Sequence, residues 1–312
     1  RRLWEKIEFK ALYMYSLRTN GSSTVMKWNR NYSKQAFSLH RKLKKKIRMV
    51  DGFPISKMPA IIDGEVHYAI RSPDGLIDLS PYIGNHFAVH ATGALSCCSC
   101  GKRVKKFYGQ GFCFPCLQNA PEAAECIVRP ELCKAHLGEG RDPEWEKEHH
   151  FTEHIVYLSR TSGVKVGITR STQVPTRWID QGAVAALAIA RVPYRQLAGE
   201  IEVNLKADFA DRTNWRAMLK KVEPDSEGLK DIRDQGFASL PAELHQYLLP
   251  QEQPLILEYP LLAYPPKVTS VQLARTPEVS GRLMGIKGQY LIWEDGRVLN
   301  IRNHTGYHVN IG

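Results

Sequence analysis

Apolar and polar residues alternate in two widely separated parts of the chain. Residues 64–70 (GEVHYAI) and 86–90 (HFAVH) have the period of half-buried strands, with the turn sequence Ser72-Pro73-Asp74-Gly75 between them. Residues 255–312 return to this pattern, and Asp295-Gly296 between two apolar runs predicts a hairpin. We expect β-rich segments over 49–96 and 255–312, and the second could join the first.

The centre of the chain follows other patterns. Residues 97–150 show almost no periodicity of apolar residues. Residues 151–222 predict a strand over 154–158, a turn over 161–163, a second strand over 164–169, and then helices that begin near Arg177 and at 194–206. The turn should bring Tyr157 and Lys165 near one another. Residues 223–254 are polar and helical in pattern, and they predict a connector to the last segment.

The charge of the chain is concentrated at one end. The whole chain of 312 residues carries a formal charge of +11, but residues 1–48 hold 14 basic and 2 acidic residues. The remainder is therefore close to neutral, and the charge is no guide to what the body of the protein binds. Residues 1–48 predict a poorly ordered basic tail, or upstream sequence read in frame before Met49. A nucleic-acid-binding arm is the alternative.

All seven cysteines lie between positions 97 and 133, and their spacing is typical of a metal site. Two C-x-x-C pairs stand 12 residues apart, and such pairs can surround one zinc ion with four thiolates. We predict zinc at Cys97, Cys100, Cys113 and Cys116, which leaves Cys98 spare. The zinc-deaminase signature, which requires a P-C-x-x-C sequence, fails at 115–119.

A second group of possible ligands follows the first. Cys126, Cys133 and His136 have ligand spacing, and the fourth ligand would come from His149, His150 or His154, of which we choose His150. The alternative is that these side chains pack beside the first site. Both sites are expected to be structural, because a complete set of four protein ligands leaves no position for substrate.

A hydroxyl, an arginine and a carboxylate in the 151–222 segment could form a phosphodiester site. The carboxylate would hold a divalent cation, the arginine would pair with phosphate, and Tyr157 or Lys165 could take a proton if its pKa were depressed. From spacing alone, a packing tyrosine and solvated charged residues are the better explanation of these positions.

The order of these residues resembles the motif order of the GIY-YIG endonuclease superfamily. The likeness rests on 154–157 (HIVY), 165–169 (KVGIT), Arg177 and 202–206 (EVNLK). It implies an α/β domain in which Tyr157 and Gly167 match the two motifs, Arg177 is the catalytic arginine, and Glu202 binds Mg²⁺ or Mn²⁺. Lys165 stands where many members have tyrosine, and Asp180 or Gln181 stands near a position that is often histidine or tyrosine.

A longer likeness covers the chain from about residue 50. Residues 109–116 (GQGFCFPC), 129–133 (RPELC), 177–183 (RWIDQGA), 213–216 (TNWR) and 285–292 (GIKGQYLI) resemble the bacterial family known as domain of unknown function 2797. That resemblance implies membership of a family without implying a reaction, and it excludes residues 1–48.

Several further residues near these motifs are candidates for contact with nucleic acid: Arg170, Trp178, Gln181, Asn214 and Lys287. Each has an alternative structural explanation. Lys287 could be a solvated lysine in a β-turn, Gly182 could end a helix beside Gln181, and Thr213 could cap the helix that follows Asn214.

Together these patterns predict a cytoplasmic α+β protein with nucleic acid as its partner and no membrane association. It would have β-rich N- and C-terminal parts, a zinc-ribbon-like module at 97–150 and a GIY-YIG-like α/β domain at 151–222. The leading function is a divalent-metal-dependent endonuclease. The alternatives are a non-catalytic RNA- or DNA-binding module and a protein-interaction scaffold.

Overall fold

A computed structural model describes residues 52–206 and 214–312. By its internal contacts the chain divides into two units, Arg1–Arg48 and Met49–Gly312. The predictions for residues 1–48, and the prediction that Thr213 caps a helix, lie outside the described residues. Everything below concerns the second unit.

Strands and helices alternate irregularly along the described residues. The strands are β1 (Phe53–Pro54), β2 (Ala60–Asp63), β3 (Glu65–Ser72), β4 (Gly75–Asp78), β5 (His86–Ser96), β6 (Arg103–Val104), β7 (His154–Arg160), β8 (Val164–Arg170), β9 (Ala185–Val192), β10 (Leu255–Ile256), β11 (Thr269–Ser270), β12 (Glu278–Lys287), β13 (Tyr290–Trp293), β14 (Arg297–Asn300) and β15 (Tyr307–Ile311). The helices are α1 (Phe114–Asn119), α2 (Pro143–His149), α3 (Thr176–Asp180), α4 (Arg195–Lys206), α5 (Trp215–Met218) and α6 (Ser226–Ser239). This mixture confirms the α+β class.

The two β-rich segments share one sheet of eight strands. Its order is β1-β15-β5-β12-β13-β14-β11, with β6 added to β5. The predicted hairpin is present as β13 and β14, and Gly296 takes the positive φ that its turn requires. Strands close to residue 53 therefore hydrogen-bond with strands close to residue 309.

A smaller sheet of β2, β3 and β4 faces the same core as the large one. In β3 the alternating residues Val66, Tyr68 and Ile70 are buried, which is the period-2 pattern visible in the sequence. The predicted turn after β3 forms, and the Ser72 hydroxyl donates a hydrogen bond of 2.8 Å to the Gly75 carbonyl.

A sheet of four strands in the order β10-β9-β7-β8 has an apolar core on each face. Ile155 and Tyr157 of β7 point into the core of the large sheet, whereas Val156 and Leu158 point into a second core under α4 and α6. Because successive strand residues face opposite sides, burial on both faces explains why residues 155–158 are continuously apolar. Strand β8 is one of the two edge strands, and the polar site described below lies beside it.

Short helical turns connect the cysteines in residues 97–150, which form little regular structure. Among the described residues, no helix combines the length and apolar character needed to cross a membrane.

Candidate functional site: two metal-ligand groups and a polar cluster

The first metal group consists of Cys97, Cys100, Cys113 and Cys116, whose ligand atoms all lie within 4.8 Å of one another. The Cys100 and Cys113 sulfurs are 3.9 Å apart. Two thiolates bound to the same tetrahedral zinc ion at 2.3 Å would be separated by about 3.8 Å. The four cysteines that the spacing selected are therefore together, at a separation that fits zinc.

Local turns prepare this group. The Gly101 amide donates to the Cys97 carbonyl at 2.9 Å, and the Cys113 amide donates to the Cys97 sulfur at 3.2 Å. Burial raises the pKa of Cys97, but hydrogen bonds from the amides of Cys113, Cys100 and Ser99 outweigh burial and lower the pKa to about 6. A thiol with a lowered pKa loses its proton readily to a metal ion.

The second metal group consists of Cys126, Cys133, Glu146 and His150, again with all ligand atoms within 4.8 Å. A hydrogen bond from Cys126 lowers the pKa of Cys133 to about 4, and the same bond raises the pKa of Cys126. The carboxylate of Glu146 forms a buried ion pair with His150 through its Oε2 atom. Two sulfurs, one imidazole and one carboxylate form a donor set that suits zinc.

Helix α2 brings two of these ligands together. Pro143 starts the helix, and the Asp142 carboxylate caps it by accepting from the Trp145 amide at 3.1 Å. Glu146 and His150 are four residues apart and therefore share one helical face. The sequence prediction missed Glu146, although its spacing of four residues from His150 is a signal that could have identified it.

The other candidate histidines are not part of the second metal group. His136 was predicted as a ligand, but its ring stacks on Tyr194, with 4.7 Å between ring centroids. The ring of His149 stacks on Trp145, and Nδ1 of His154 is 2.7 Å from the Thr152 carbonyl. Glu146 occupies the position that the sequence prediction gave to His136.

The polar site beside β8 is built around Tyr157, which is fully buried. Tyr157 pairs with Gly167 across β7 and β8. A Cβ atom at Gly167 would lie 2.8 Å from the Tyr157 hydroxyl oxygen, so the tyrosine ring lies over the glycine and extends toward the sheet edge. Glycine is required here because any side chain would occupy the position of the tyrosine.

Several buried polar atoms around Tyr157 have no hydrogen-bond partner among the described residues. They are the Tyr157 hydroxyl, the Ser159 hydroxyl, the Trp178 indole nitrogen and the Gln181 side-chain oxygen. The rings of Tyr157 and Trp178 are 5.9 Å apart, and Ser159 follows two residues later on the same sheet face. Buried polar atoms are nearly always paired in folded proteins, so such a concentration indicates a place that binds water or a ligand.

Charged side chains from α3 and α4 approach the same place. Burial raises the pKa of Tyr157, and the Arg177 guanidinium and the Gln181 amide oppose that change. Glu202 is also buried, and burial raises its pKa, while Lys206 at 3.5 Å and the nearby Arg195 oppose the change. We call Tyr157, Arg177, Gln181 and Glu202 the Tyr157 cluster.

The raised pKa of Tyr157 does not fit the prediction that this hydroxyl could serve as a base. A tyrosine that stays protonated donates a hydrogen bond and does not accept a proton. Lys165, the other candidate base, pairs with Ser159 rather than with Tyr157. Because the loop is three residues long, Lys165 lies on the same sheet face as Tyr157 but about 7 Å along the strand.

A second arginine, which the sequence prediction missed, approaches the cluster from the C-terminal part. The pKa of Arg302 is lowered, first by loss of solvent around its guanidinium and then by Arg177, while Asp180 and Tyr157 oppose this change. Asp180 itself joins the two parts, since its carboxylate accepts from Lys57 at 2.7 Å and from Gln289 at 3.0 Å. The position of Arg302 is set by tertiary structure, so no local sequence signal identifies it.

Arg195 connects the Tyr157 cluster to the second metal group. Its guanidinium donates to the carbonyls of Cys126 and Ile127 at 3.0–3.1 Å. Burial lowers the pKa of Arg195; Cys126, Cys133 and Glu202 oppose this change, whereas Arg177 adds to it. One side chain at the start of α4 is thus close to both sites.

A family model described as "Protein of unknown function (DUF2797)" matches residues 84–309, more than two thirds of the chain. The chain belongs to this family. The resemblance to DUF2797 is thereby confirmed, whereas the resemblance to GIY-YIG endonucleases stays a prediction. No curated protein and no solved structure matches the chain.

The remaining candidate residues of this DUF2797 chain lie in different surroundings. Trp178 is buried beside Tyr157, and Arg170 is half-buried at the end of β8. Asn214 caps α5 by accepting from the amides of Arg216 and Ala217. Asn214 therefore has a structural role in the described chain.

Lys287 was expected either to contact phosphate or to be solvated in a turn. It lies at the end of β12 and is fully buried, with its ammonium 5.7 Å from the Tyr259 ring centroid and 5.3 Å from that of Tyr264. Burial lowers the pKa of Lys287 to about 8. This burial does not fit the interpretation of Lys287 as a solvated lysine in a turn.

Proposed function

We propose that this DUF2797 protein is a zinc-stabilised, divalent-metal-dependent protein that cleaves a phosphodiester bond of nucleic acid at the Tyr157 cluster. The observation that carries the proposal is the set of unpartnered buried polar atoms beside Arg177. A bound phosphate group would supply hydrogen-bond acceptors to the donors of Tyr157 and Trp178 and a negative charge to the arginine.

The excess of guanidinium groups near the cluster supports an anionic ligand. Arg177 lowers the pKa of both Arg195 and Arg302, so the three guanidinium groups lie near one another. Arg177 and Arg195 are half-buried, whereas Arg302 is exposed. Arginine stays charged when it is partly buried, and its planar fork matches two phosphate oxygens. We propose that Arg177 and Arg302 bind the phosphate and that Arg195 holds the second metal group against α4.

Glu202 is the carboxylate proposed to hold Mg²⁺ or Mn²⁺, whose charge polarises a phosphoryl oxygen when the ion is bound. The neutral hydroxyl of Tyr157 would orient a substrate oxygen by donating a hydrogen bond. Water supplies the oxygen that bonds to phosphorus, the bond to the leaving sugar oxygen breaks, and that oxygen gains a proton. Lys165 is the remaining candidate for accepting the proton of the water.

A cleavage assay with end-labelled DNA and RNA oligonucleotides, in Mg²⁺ or Mn²⁺, tests this proposal. We expect Arg177→Ala and Glu202→Gln each to lower the cleavage rate about 100-fold or more, as the loss of a charge-stabilising group at a reacting centre does. The control is Arg191→Ala, since Arg191 is an exposed arginine of the same sheet that pairs with Glu153. Full activity in both cluster variants would contradict the site assignment.

The ion pair of Glu202 with Lys206 favours a second candidate, a non-catalytic nucleic-acid-binding protein. A carboxylate already neutralised by lysine has less charge for a divalent cation. This candidate predicts binding that weakens with salt, and no cleavage in any divalent cation. The wild-type protein in the same assay separates the two candidates.

A further inference from the structure

Residues 102–114 carry exposed aromatic rings and exposed cations that lie outside the Tyr157 cluster. We call these side chains the aromatic-basic face, which comprises Lys102, Arg103, Lys105, Lys106, Tyr108 and Phe114, all of them exposed. Residues 97–121 contain no aspartate or glutamate. The cations of this face therefore have no acidic residue among their neighbours in residues 97–121.

The two rings are placed side by side at the surface. Tyr108 and Phe114 are each 48% exposed, and their ring centroids are 5.2 Å apart. The ammonium of Lys106 lies 4.8 Å from the Tyr108 ring centroid. Large ring faces of this kind, with a cation beside them, can stack on planar groups of a ligand.

The backbone around the first metal group fixes the positions of both rings. The Tyr108 amide donates to the Phe112 carbonyl at 3.0 Å, and the Cys98 amide donates to the Gly111 carbonyl at 2.9 Å. Phe114 directly follows the ligand Cys113 and begins α1, which also carries Cys116. Because the rings are held by the segment that carries the ligands, little conformational entropy is lost when they bind a partner.

We propose that the aromatic-basic face binds single-stranded nucleic acid, with bases stacked on Tyr108 and Phe114 and phosphates neutralised by the lysines and Arg103. Stacking platforms with basic residues along them are the usual means of binding single strands. In a duplex the base faces are already stacked and cannot reach the rings. The face should therefore bind single-stranded nucleic acid in preference to a duplex. This proposal depends on the proposed function only in taking nucleic acid as the class of partner.

Binding of a fluorescein-labelled dT or rU oligonucleotide to the full chain, measured by anisotropy, tests the proposal. We expect Tyr108→Ala and Phe114→Ala each to weaken binding about tenfold, because stacking on one ring contributes about 1–3 kcal/mol. Tyr108→Phe keeps the ring and should bind like the wild type. Lys105→Ala with Lys106→Ala should reduce the slope of log affinity against log salt by about 1.4, the value for two phosphate contacts on a single strand.

Phe151→Ala is the matched control, since Phe151 is 46% exposed directly after the 97–150 segment but lies outside the face, with its ring 6.1 Å from that of Tyr194. It should change affinity by no more than about twofold. Unchanged affinity in the double variant Tyr108→Ala, Phe114→Ala would overturn the proposal. Equal or tighter ring-dependent binding to a duplex, or ring-dependent binding to phosphatidylserine vesicles without oligonucleotide binding, would overturn it as well.

The test separates this proposal from the cleavage proposal. Binding measurements on Arg177→Ala should retain the dependence on Tyr108 and Phe114, whether or not the wild type cleaves nucleic acid. Conversely, if cleavage occurs, the ring variants should need a higher concentration of single-stranded substrate for half-maximal cleavage. Metal content equal to that of the wild type shows that the ring variants have kept the first metal group.

Discussion

The imidazole of His304 is held in its neutral form by the backbone on both sides. Its Nδ1 atom donates to the Asn300 carbonyl at 2.7 Å, and Nε2 accepts from the Leu273 amide at 3.2 Å. Burial lowers the pKa of His304 below its usual 6.5, although the bond to Asn300 opposes this change. Protonation would cost the bond from Leu273 and place a charge in a buried position.

The folded protein should therefore lose stability as the pH falls below about 6.5, since the unfolded chain then binds a proton that folded His304 does not. Urea unfolding at a series of pH values should show a shallower decline for His304→Gln than for the wild type, by up to about 1.4 kcal/mol per pH unit. The control is His86→Gln, at an exposed position in β5. Parallel pH profiles for wild type and His304→Gln would contradict this explanation.

Prediction at the residue scale succeeded where chemistry is encoded in local spacing. The two C-x-x-C pairs determine four ligands, because a single turn of backbone places both sulfurs of a pair. Spacing does not decide whether His136 is a ligand, because in a segment without periodicity the sequence does not show which way a side chain points. Lys287 shows the same limit, because the packing of Tyr259 and Tyr264 around it depends on tertiary structure.

Helix α4 and the second metal group meet without side chains between them. A Cβ atom at Gly199 would lie 2.3 Å from the Glu131 amide nitrogen and 2.6 Å from the Pro130 carbonyl carbon. The helix that carries Glu202 therefore rests directly on the backbone between Cys126 and Cys133. Backbone atoms cannot rotate away as a side chain can, so this contact tolerates no added methyl group.

We expect Gly199→Ala to separate these elements, at a cost of about 1–3 kcal/mol in the free energy of unfolding. The gain in helix propensity of about 1 kcal/mol for alanine over glycine offsets only part of that cost. Metal bound by the second group should also transfer faster to a chromogenic chelator. The neighbouring Glu200→Ala, at an exposed position, should behave like the wild type in both measurements; the same behaviour in Gly199→Ala would refute the contact.

The positions of most strands and helices could be predicted from the sequence, whereas the pairing register of the strands could not. The sequence predicted β7, β8, α4 and the hairpin of β13 and β14, because each is a strongly periodic segment bounded by turn residues. Register depends on the loop, and a loop of three residues pairs Tyr157 with Gly167 and not with Lys165. The order of strands in the large sheet depends on contacts between distant segments, which hydrophobic periodicity does not predict.

At the scale of the whole molecule, the two metal groups organise the part of the chain that has least regular structure. Residues 97–150 form helices of six and seven residues and short turns, which are too short to be stable alone. If zinc binds both groups, its binding free energy contributes directly to the folding of this segment. Removal of the metal should then lower the stability of the entire unit.

Metal analysis of the purified protein should give two zinc ions per chain. Cys100→Ser and Cys133→Ser should each retain about one, because substitution of one thiolate weakens one site and leaves the other intact. Cys98→Ser is the control and should retain two, since Cys98 is exposed and belongs to neither group. Less than half an equivalent of zinc in the wild type would rule out zinc in either group.

The pairing of β1 with β15 has a consequence for how the protein is made. Phe53 lies opposite Val309, so the large sheet receives β15 only after Tyr307–Ile311 have been synthesised. The cysteine-containing segment and the β7–β8 hairpin have local partners and can form on the ribosome, because contacts close in sequence form early. A nascent chain that stops before residue 307 would hold its metal groups but lack β15, and the side of β5 that pairs with β15 would then be open to strands of other chains.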